Sequence, residues 1–178
     1  MRSRGPSWVT VVSGLPRSGT SLMMQMLQAA GLPIWSDQRR PPDANNPLGY
    51  LEHSEVAALL AGPEAMARSL GHAVKIVYPV VLRLPLGVSY RILFMRRDLA
   101  EVVASQRLMV HDLGAPTPAV GDDRLASYWS EHLRDGLPAL RDREDCRLLE
   151  VCFEAAVFDP RTTAAQVARF LELPEPPD

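Results

Sequence analysis

Val11-Val12-Ser13-Gly14-Leu15-Pro16-Arg17-Ser18-Gly19-Thr20-Ser21 decides the fold of this chain. A β-branched apolar run (Val9, Val11, Val12) feeds a turn bounded by glycines. The turn opens onto Leu22, Met23, Met26, Leu27 and Ala30, an apolar set at helical spacing, with Gln25 and Gln28 on the other face. Strand, glycine loop and helix N-terminus together make an anion cradle, because first-turn N–H groups lack intrahelical partners and the helix dipole favours negative charge. Gly14-x4-Gly19 has the spacing of a Walker A loop, yet Thr20 stands where its lysine belongs and Arg17 is the only cation in the loop. A phosphate site without the usual lysine is expected here.

Working outward, Tyr90-Arg91-Ile92-Leu93-Phe94-Met95 reads as a buried parallel strand. Asp98 and Glu101 follow as an acidic N-cap and N3 pair, close to a capping box, opening a helix through Val102, Val103 and Leu108. Arg97 closes the strand and Ser105 lies eight residues on, whereas the residue eight beyond Arg96 is Ala104. An arginine fork gives a dianion paired charge-assisted hydrogen bonds, to which a serine hydroxyl adds another. Between the two sites, Ala73-Val74-Lys75-Ile76-Val77-Tyr78-Pro79 reads as a further core strand. Lys75 is the only lysine among 19 basic residues, so a compact ammonium there suggests a local need.

Pro16-Arg17-Ser18-Gly19-Thr20-Ser21 resembles the 5′-phosphosulfate loop of sulfotransferases. These enzymes move a sulfonate from 3′-phosphoadenosine 5′-phosphosulfate (PAPS) to a hydroxyl or amine. Arg97 and Ser105 are similar in order and separation to the pair that grips the 3′-phosphate in that family. Lys75 matches the family's strand lysine, but the catalytic histidine two residues on is Val77 here. Asn46-Pro47-Leu48-Gly49-Tyr50-Leu51-Glu52 is similar to an Asn-Pro-x-Gly-Tyr-x-Glu segment of bacterial sulfotransferase-like proteins. The resemblance implies PAPS as cofactor and PAP as product, bound by Pro16, Arg17, Ser18, Gly19, Thr20, Ser21, Arg97 and Ser105, with no metal. Arg17 and Lys75 would stabilise charge on the sulfonate and the leaving oxygen. Glu52 would deprotonate the acceptor, with Asp37, Asp43 and His53 as substitutes, since a desolvated carboxylate can act as a base near neutrality. Alternatively, Glu52 caps a helix beginning near Ser54. The Arg-Lys-Gly segment with which many family members complete the 3′-phosphate site has no counterpart before Asp178. Two other readings stand beside this one: a P-loop kinase or NTPase using ATP and Mg²⁺, and a non-catalytic nucleotide-binding protein.

The remaining punctuation gives strand 8–13, helix 19–30, a proline-rich loop to about residue 53, and short helices near 54–60 and 63–70. Strands 73–78 and 90–95, helix 98–110 and a loop at 111–121 follow. Helix 122–135, packed through Leu125, Trp129 and Leu133, is expected to kink or end at Gly136 and Pro138. Strand 146–152 precedes a last helix capped at Asp159-Pro160 and continuing through Val167, Ala168 and Leu171. Alternating strands and helices predict an α/β fold, a three-layer parallel sheet with helices on both faces, in one domain over 1–178. Ligands in such sheets sit at the carboxyl ends of strands, where both phosphate motifs fall. Loop 36–53 is long for so small a domain, and long ordered loops are more often functional than not.

With 178 residues and 47% hydrophobic content, the chain supports a full core. A net charge of −2 argues against nucleic-acid or membrane electrostatic partners, and no apolar run is long enough for a span. The start, Met1 to Arg4, meets Gly5-Pro6 and the first strand directly, so a signal peptide is not expected. Cys146 and Cys152 are about 20 Å apart if extended, too far to pair, and metal-ligand spacing is absent. A reducing cytoplasm is the expected compartment. The acceptor pocket is expected from residues 32–72 and 111–145; the acceptor, small molecule or biopolymer, and the oligomeric state are left open.

Overall fold

A computed structural model describes residues 6–37, 39–43, 46–116 and 119–174. Residues 1–4, Pro118 of the expected loop and the tail to Asp178 lie outside that set. The described residues form a four-stranded sheet from β1 (Val9–Gly14), β2 (Ala73–Lys75), β3 (Tyr90–Arg96) and β4 (Cys146–Cys152), ordered β2-β1-β3-β4. All three pairings are parallel. Helices α1 (Thr20–Ala29), α2 (Val56–Leu59), α3 (Pro63–Ala67), α4 (Leu99–Asp112), α5 (Asp122–Arg141), α6 (Phe153–Phe158) and α7 (Pro160–Leu171) accompany the sheet.

Strand alternation divides the core in two, because successive side chains point to opposite faces of a sheet. Val9, Val11, Ile92 and Phe94 pack with Leu59, Met66, Val102, Leu133 and Leu137 from α2, α3, α4 and α5. Val12, Leu93, Met95 and Val151 pack on the other face with Met23, Met24 and Leu27 of α1 and Val167 and Leu171 of α7. Helices therefore cover both faces, as the alternation of elements predicts.

Four expectations need correction. β2 ends at Lys75 rather than 78, although Ile76 N–H still donates to Val12 O (3.0 Å) and Tyr78 N–H to Gly14 O (2.9 Å). α5 runs through Pro138 to Arg141 instead of stopping near 135. Burial of Leu137 and Leu140, on either side of the proline, outweighs its missing hydrogen bond. Gly136 lies inside that helix because Tyr78 packs against it, its hydroxyl donating to His132 O (2.5 Å); a side chain at 136 would collide with the ring. A short helix, α6, separates β4 from α7, and Ile34 pairs with Ala73 at the outer edge of β2. The capping box is only half formed. Asp98 accepts from the N–H groups of Ala100 and Glu101, but Glu101 pairs with Arg97 at 2.9 Å instead of reaching back.

Both cysteines are free, Cys146 buried and Cys152 exposed. Among the described residues, no helix is long and apolar enough to cross a membrane.

Candidate active site

The chain leaves β1 toward β2 on one side and later places β3 on the other. That reversal opens a crevice at the carboxyl ends of β1 and β3, where open parallel sheets bind ligands. The glycine loop follows β1 and Arg97 follows β3, so the fold brings the two sequence motifs to this crevice.

The loop is built from close approaches. A side chain at Gly14 (φ 142°) would meet Ser18 Oγ and Met95 O, and one at Gly19 (φ 95°) would strike the ring of Phe153. Gly19 is the N-cap of α1 and has no side-chain cap, leaving first-turn N–H groups for a ligand. Arg17 sits at φ 75°, a left-handed conformation costing a non-glycine residue roughly 1–2 kcal/mol. Bonds from the α4 side hold it there. Arg17 Nε donates to Ser105 Oγ (3.0 Å), Arg97 Nη1 donates to Arg17 O (3.1 Å), and Gln106 Nε2 donates to Pro16 O (2.9 Å). Arg97 and Ser105 thus converge on the loop through Arg17. Arg96 turns away to Glu150 Oε2 (2.9 Å), as its register predicts.

Lys75 occupies the opposite wall. Its side chain is 4% exposed, and its three N–H donors reach Ser21 Oγ (3.1 Å), Tyr50 O (3.2 Å) and Glu52 Oε1 (3.0 Å). Burial lowers its pKa from the ordinary lysine value, and neighbouring Glu52 only partly opposes this. Glu52 also accepts from Arg40 Nη1 (3.3 Å) and does not cap a helix; α2 begins at Val56 with Glu55 as N-cap. Asp37 is held well below the usual carboxylate range, chiefly by the hydroxyl and N–H of Ser54. Asp43 accepts from the Tyr50 hydroxyl (2.7 Å). Both are engaged within the loop, whereas Glu52 and His53 face open space.

That space consists of two adjoining cavities. The first, about 350 Å³, is lined by the glycine loop, Arg40, Asn46, Tyr50, Arg97, Met109 and Phe153. Four cations (Arg17, Arg40, Lys75, Arg97) face it with one carboxylate, Glu52. The second, about 430 Å³, shares Glu52, Lys75 and Val77 with the first as a common wall. Both lie within the size range of small-molecule sites, about 300–1,000 Å³. A larger depression of about 810 Å³ between α1 and α7 has Arg161 as its single charged lining residue and lies away from the strand ends; it has no convergent polar set.

Ser105 lies behind Arg17 and does not line the first cavity, and Ser18 Oγ is buried without a partner. Sequence reasoning missed Arg40, Asn46, Tyr50 and Phe153. Asn46 Nδ2 donates to Ser21 Oγ (2.8 Å), Arg40 lies over the Tyr50 ring at 3.3 Å, and Arg97 lies over Phe153 at 4.5 Å. The length of loop 36–53 pointed to the first three, and the position of Phe153 just after β4 could have flagged the fourth.

The family model described as Sulfotransferase family matches residues 89–177, half of the chain, and the chain belongs to the sulfotransferase family. Among solved structures it is similar to the sulfotransferase domain from the curacin biosynthetic pathway, at 19% identity and TM-score 0.55, covering 98% of this chain and 77% of that one. The sulfotransferase domain of the Synechococcus PCC 7002 olefin synthase matches at 19% identity and TM-score 0.54, over 97% of this chain and 76% of that one. Mouse sulfotransferase SULT7A1, complexed with PAP, matches at 14% identity and TM-score 0.54, over 98% of this chain and 61% of that one. These likenesses establish the P-loop-like sulfotransferase fold. No curated protein matches the chain.

Proposed function

We propose that this chain transfers the sulfonate of PAPS to a hydroxyl or amine. The observation that carries the reading is the first cavity: a glycine loop and helix N-terminus on one side, Arg97 on the other, and four cations facing a single carboxylate. Such a set suits a polyanion. Gly19, the N-cap of α1, has no side-chain cap and lines this cavity with Thr20 and Ser21, so the first-turn N–H groups agree with an anion approaching the backbone closely, whereas Ser18 does not line the cavity. The described residues therefore fit PAPS.

PAPS would supply a sulfuryl group on a phosphate leaving group, the bond from sulfur to the acceptor oxygen or nitrogen forming as the bond to the bridging oxygen breaks. Arg17 and the first-turn N–H groups would bind the 5′ end, and Lys75 would face the charge that develops on the leaving oxygen. Arg97 and Ser105 would hold the 3′-phosphate, exchanging their present partners Glu101 and Arg17 for it. Glu52, on the wall common to both cavities, would take the acceptor's proton. Its side chain is 36% exposed here, so a bound acceptor would have to supply the desolvation a carboxylate base needs.

Calorimetry with PAP against ATP–Mg²⁺, paired with label transfer from sulfur-labelled PAPS to an acceptor library, tests this. Preferential PAP binding together with transfer is expected. Tighter ATP–Mg²⁺ binding would replace the reading by a kinase or NTPase. PAP binding with no transfer would favour a non-catalytic role, for which Val77 on the shared wall is the specific support.

A further inference from the structure

The second cavity differs in chemistry from the first. Between β2, α2 and the 3₁₀ turn Val80–Arg83, it is walled by Val56, Ala57, Leu60, Ile76 and Val80. Four of its lining residues are polar, and three of these already have partners. Glu52 and Lys75 bond each other, and His53 Nδ1 accepts from Glu55 N–H (3.1 Å). The fourth, Arg83, is exposed, and no carboxylate lies within ion-pair distance of it among the described residues. Arg83 also stands one 3₁₀ turn, about 6 Å, beyond Val80. The apolar wall therefore lies between a reactive end, at Glu52, Lys75 and Val77, and a cationic end.

We infer that this cavity takes an amphipathic acceptor, with its nucleophilic hydroxyl at the Glu52 end, an aliphatic or aromatic body along the wall, and an anionic group, such as a carboxylate, on Arg83. The inference deepens the sulfonate-transfer reading and rests on it for the role of the ligand. The ligand's chemistry is read from the cavity alone. A wall of five apolar side chains disfavours a polyhydroxylated sugar, most of whose hydroxyls would lose water without gaining partners. An unpaired guanidinium beside it favours a single anion over a neutral or cationic group.

The test uses medium-chain ω-hydroxyalkanoates, their methyl esters and the matching ω-amino alcohols as probes. Binding to the full chain is measured by calorimetry with and without PAP, in wild type, Arg83→Ala, Arg83→Lys and Leu60→Trp. The acid should bind at least tenfold more tightly than its ester, and the amine most weakly. Arg83→Ala should erase the acid's advantage while leaving ester and PAP binding unchanged, Arg83→Lys should restore part of it, and Leu60→Trp should weaken acid and ester alike. Equal binding of acid and ester to wild type, an acid preference that survives Arg83→Ala, or no binding of any probe would overturn the inference. Should the probes follow the expected order while PAP fails to bind, the sulfonate-transfer reading falls and the amphipathic site stands.

Discussion

Replacing Glu52 by alanine is expected to destabilise the protein more than replacing Lys75 by methionine, although the two side chains form one ion pair. What each substitution leaves behind sets the difference. The Lys75 side chain is 4% exposed and that of Glu52 36%. Glu52→Ala strands a buried ammonium with two neutral acceptors, Ser21 Oγ and Tyr50 O. Breaking a buried pair in this way costs about 3–5 kcal/mol. After Lys75→Met, Glu52 keeps Arg40 and solvent, and methionine fills most of the vacated space. The loss is then two modest hydrogen bonds and a half-exposed ion pair, about 1–2 kcal/mol. A gap of about 2 kcal/mol moves a urea midpoint by about 1 M for a domain of this size. Combining both substitutions should recover most of the Glu52→Ala loss, and the gap should narrow at alkaline pH, where the stranded ammonium sheds its proton. If Lys75→Met lowers the midpoint as far as Glu52→Ala does, burial of the ammonium does not organise this site.

Because burial holds the Lys75 pKa below its ordinary value of 10.5, the folded chain loses this proton before the unfolded chain as pH rises toward that value. The Lys75 contribution to stability then increases with pH, while PAP affinity falls; Lys75→Arg should flatten the binding profile by calorimetry. Gly19→Ala combines a left-handed backbone penalty with a collision against Phe153, about 2–5 kcal/mol in denaturant titration. In a Phe153→Ala background Gly19→Ala should cost only the backbone penalty, about 1–2 kcal/mol, and a cost there as large as in the wild-type chain would be inconsistent with that contact being the main cost. Cys146 is buried, and that burial pushes its thiol up to about 11, so iodoacetamide should label exposed Cys152 and spare Cys146 in the native chain, as read by peptide mass.

What could be read from the sequence was whatever short-range pattern determines. The β1 loop, the strand before Arg97 and the Asp98 cap depend on neighbours within a few residues, and all three lie where the pattern puts them. Pro138 misled because its local penalty is set against burial of Leu137 and Leu140, a term fixed by packing elsewhere in the chain. The far side of Glu101 is similar. Its carboxylate could reach back to the cap or sideways to Arg97, and only the tertiary position of Arg97 decides between them. Arg40, Tyr50 and Asn46 reach the site because an irregular loop folds back onto Ser21 and Lys75, and no periodicity encodes such a path.

Val77 stands where a catalytic histidine would be expected, yet the wall it lines does not lack a proton acceptor. The long loop brings Glu52 to the same wall, bonded to the strand lysine that precedes Val77 by two residues. Position 77 and position 52 therefore offer alternative routes for a base to the junction of the two cavities. If the proposed role of Glu52 is right, Glu52→Gln should lower turnover about 10²–10⁴-fold while keeping PAP binding, since glutamine can still accept from Lys75. Adding Val77→His to Glu52→Gln should then recover part of the rate, with a pH profile rising through the histidine range. Val77→His alone should do little, because the carboxylate already serves. Full turnover in Glu52→Gln, or no recovery in a double variant that still binds PAP and acceptor, would place the base elsewhere, and His53, which opens onto the second cavity, would be the next residue to substitute.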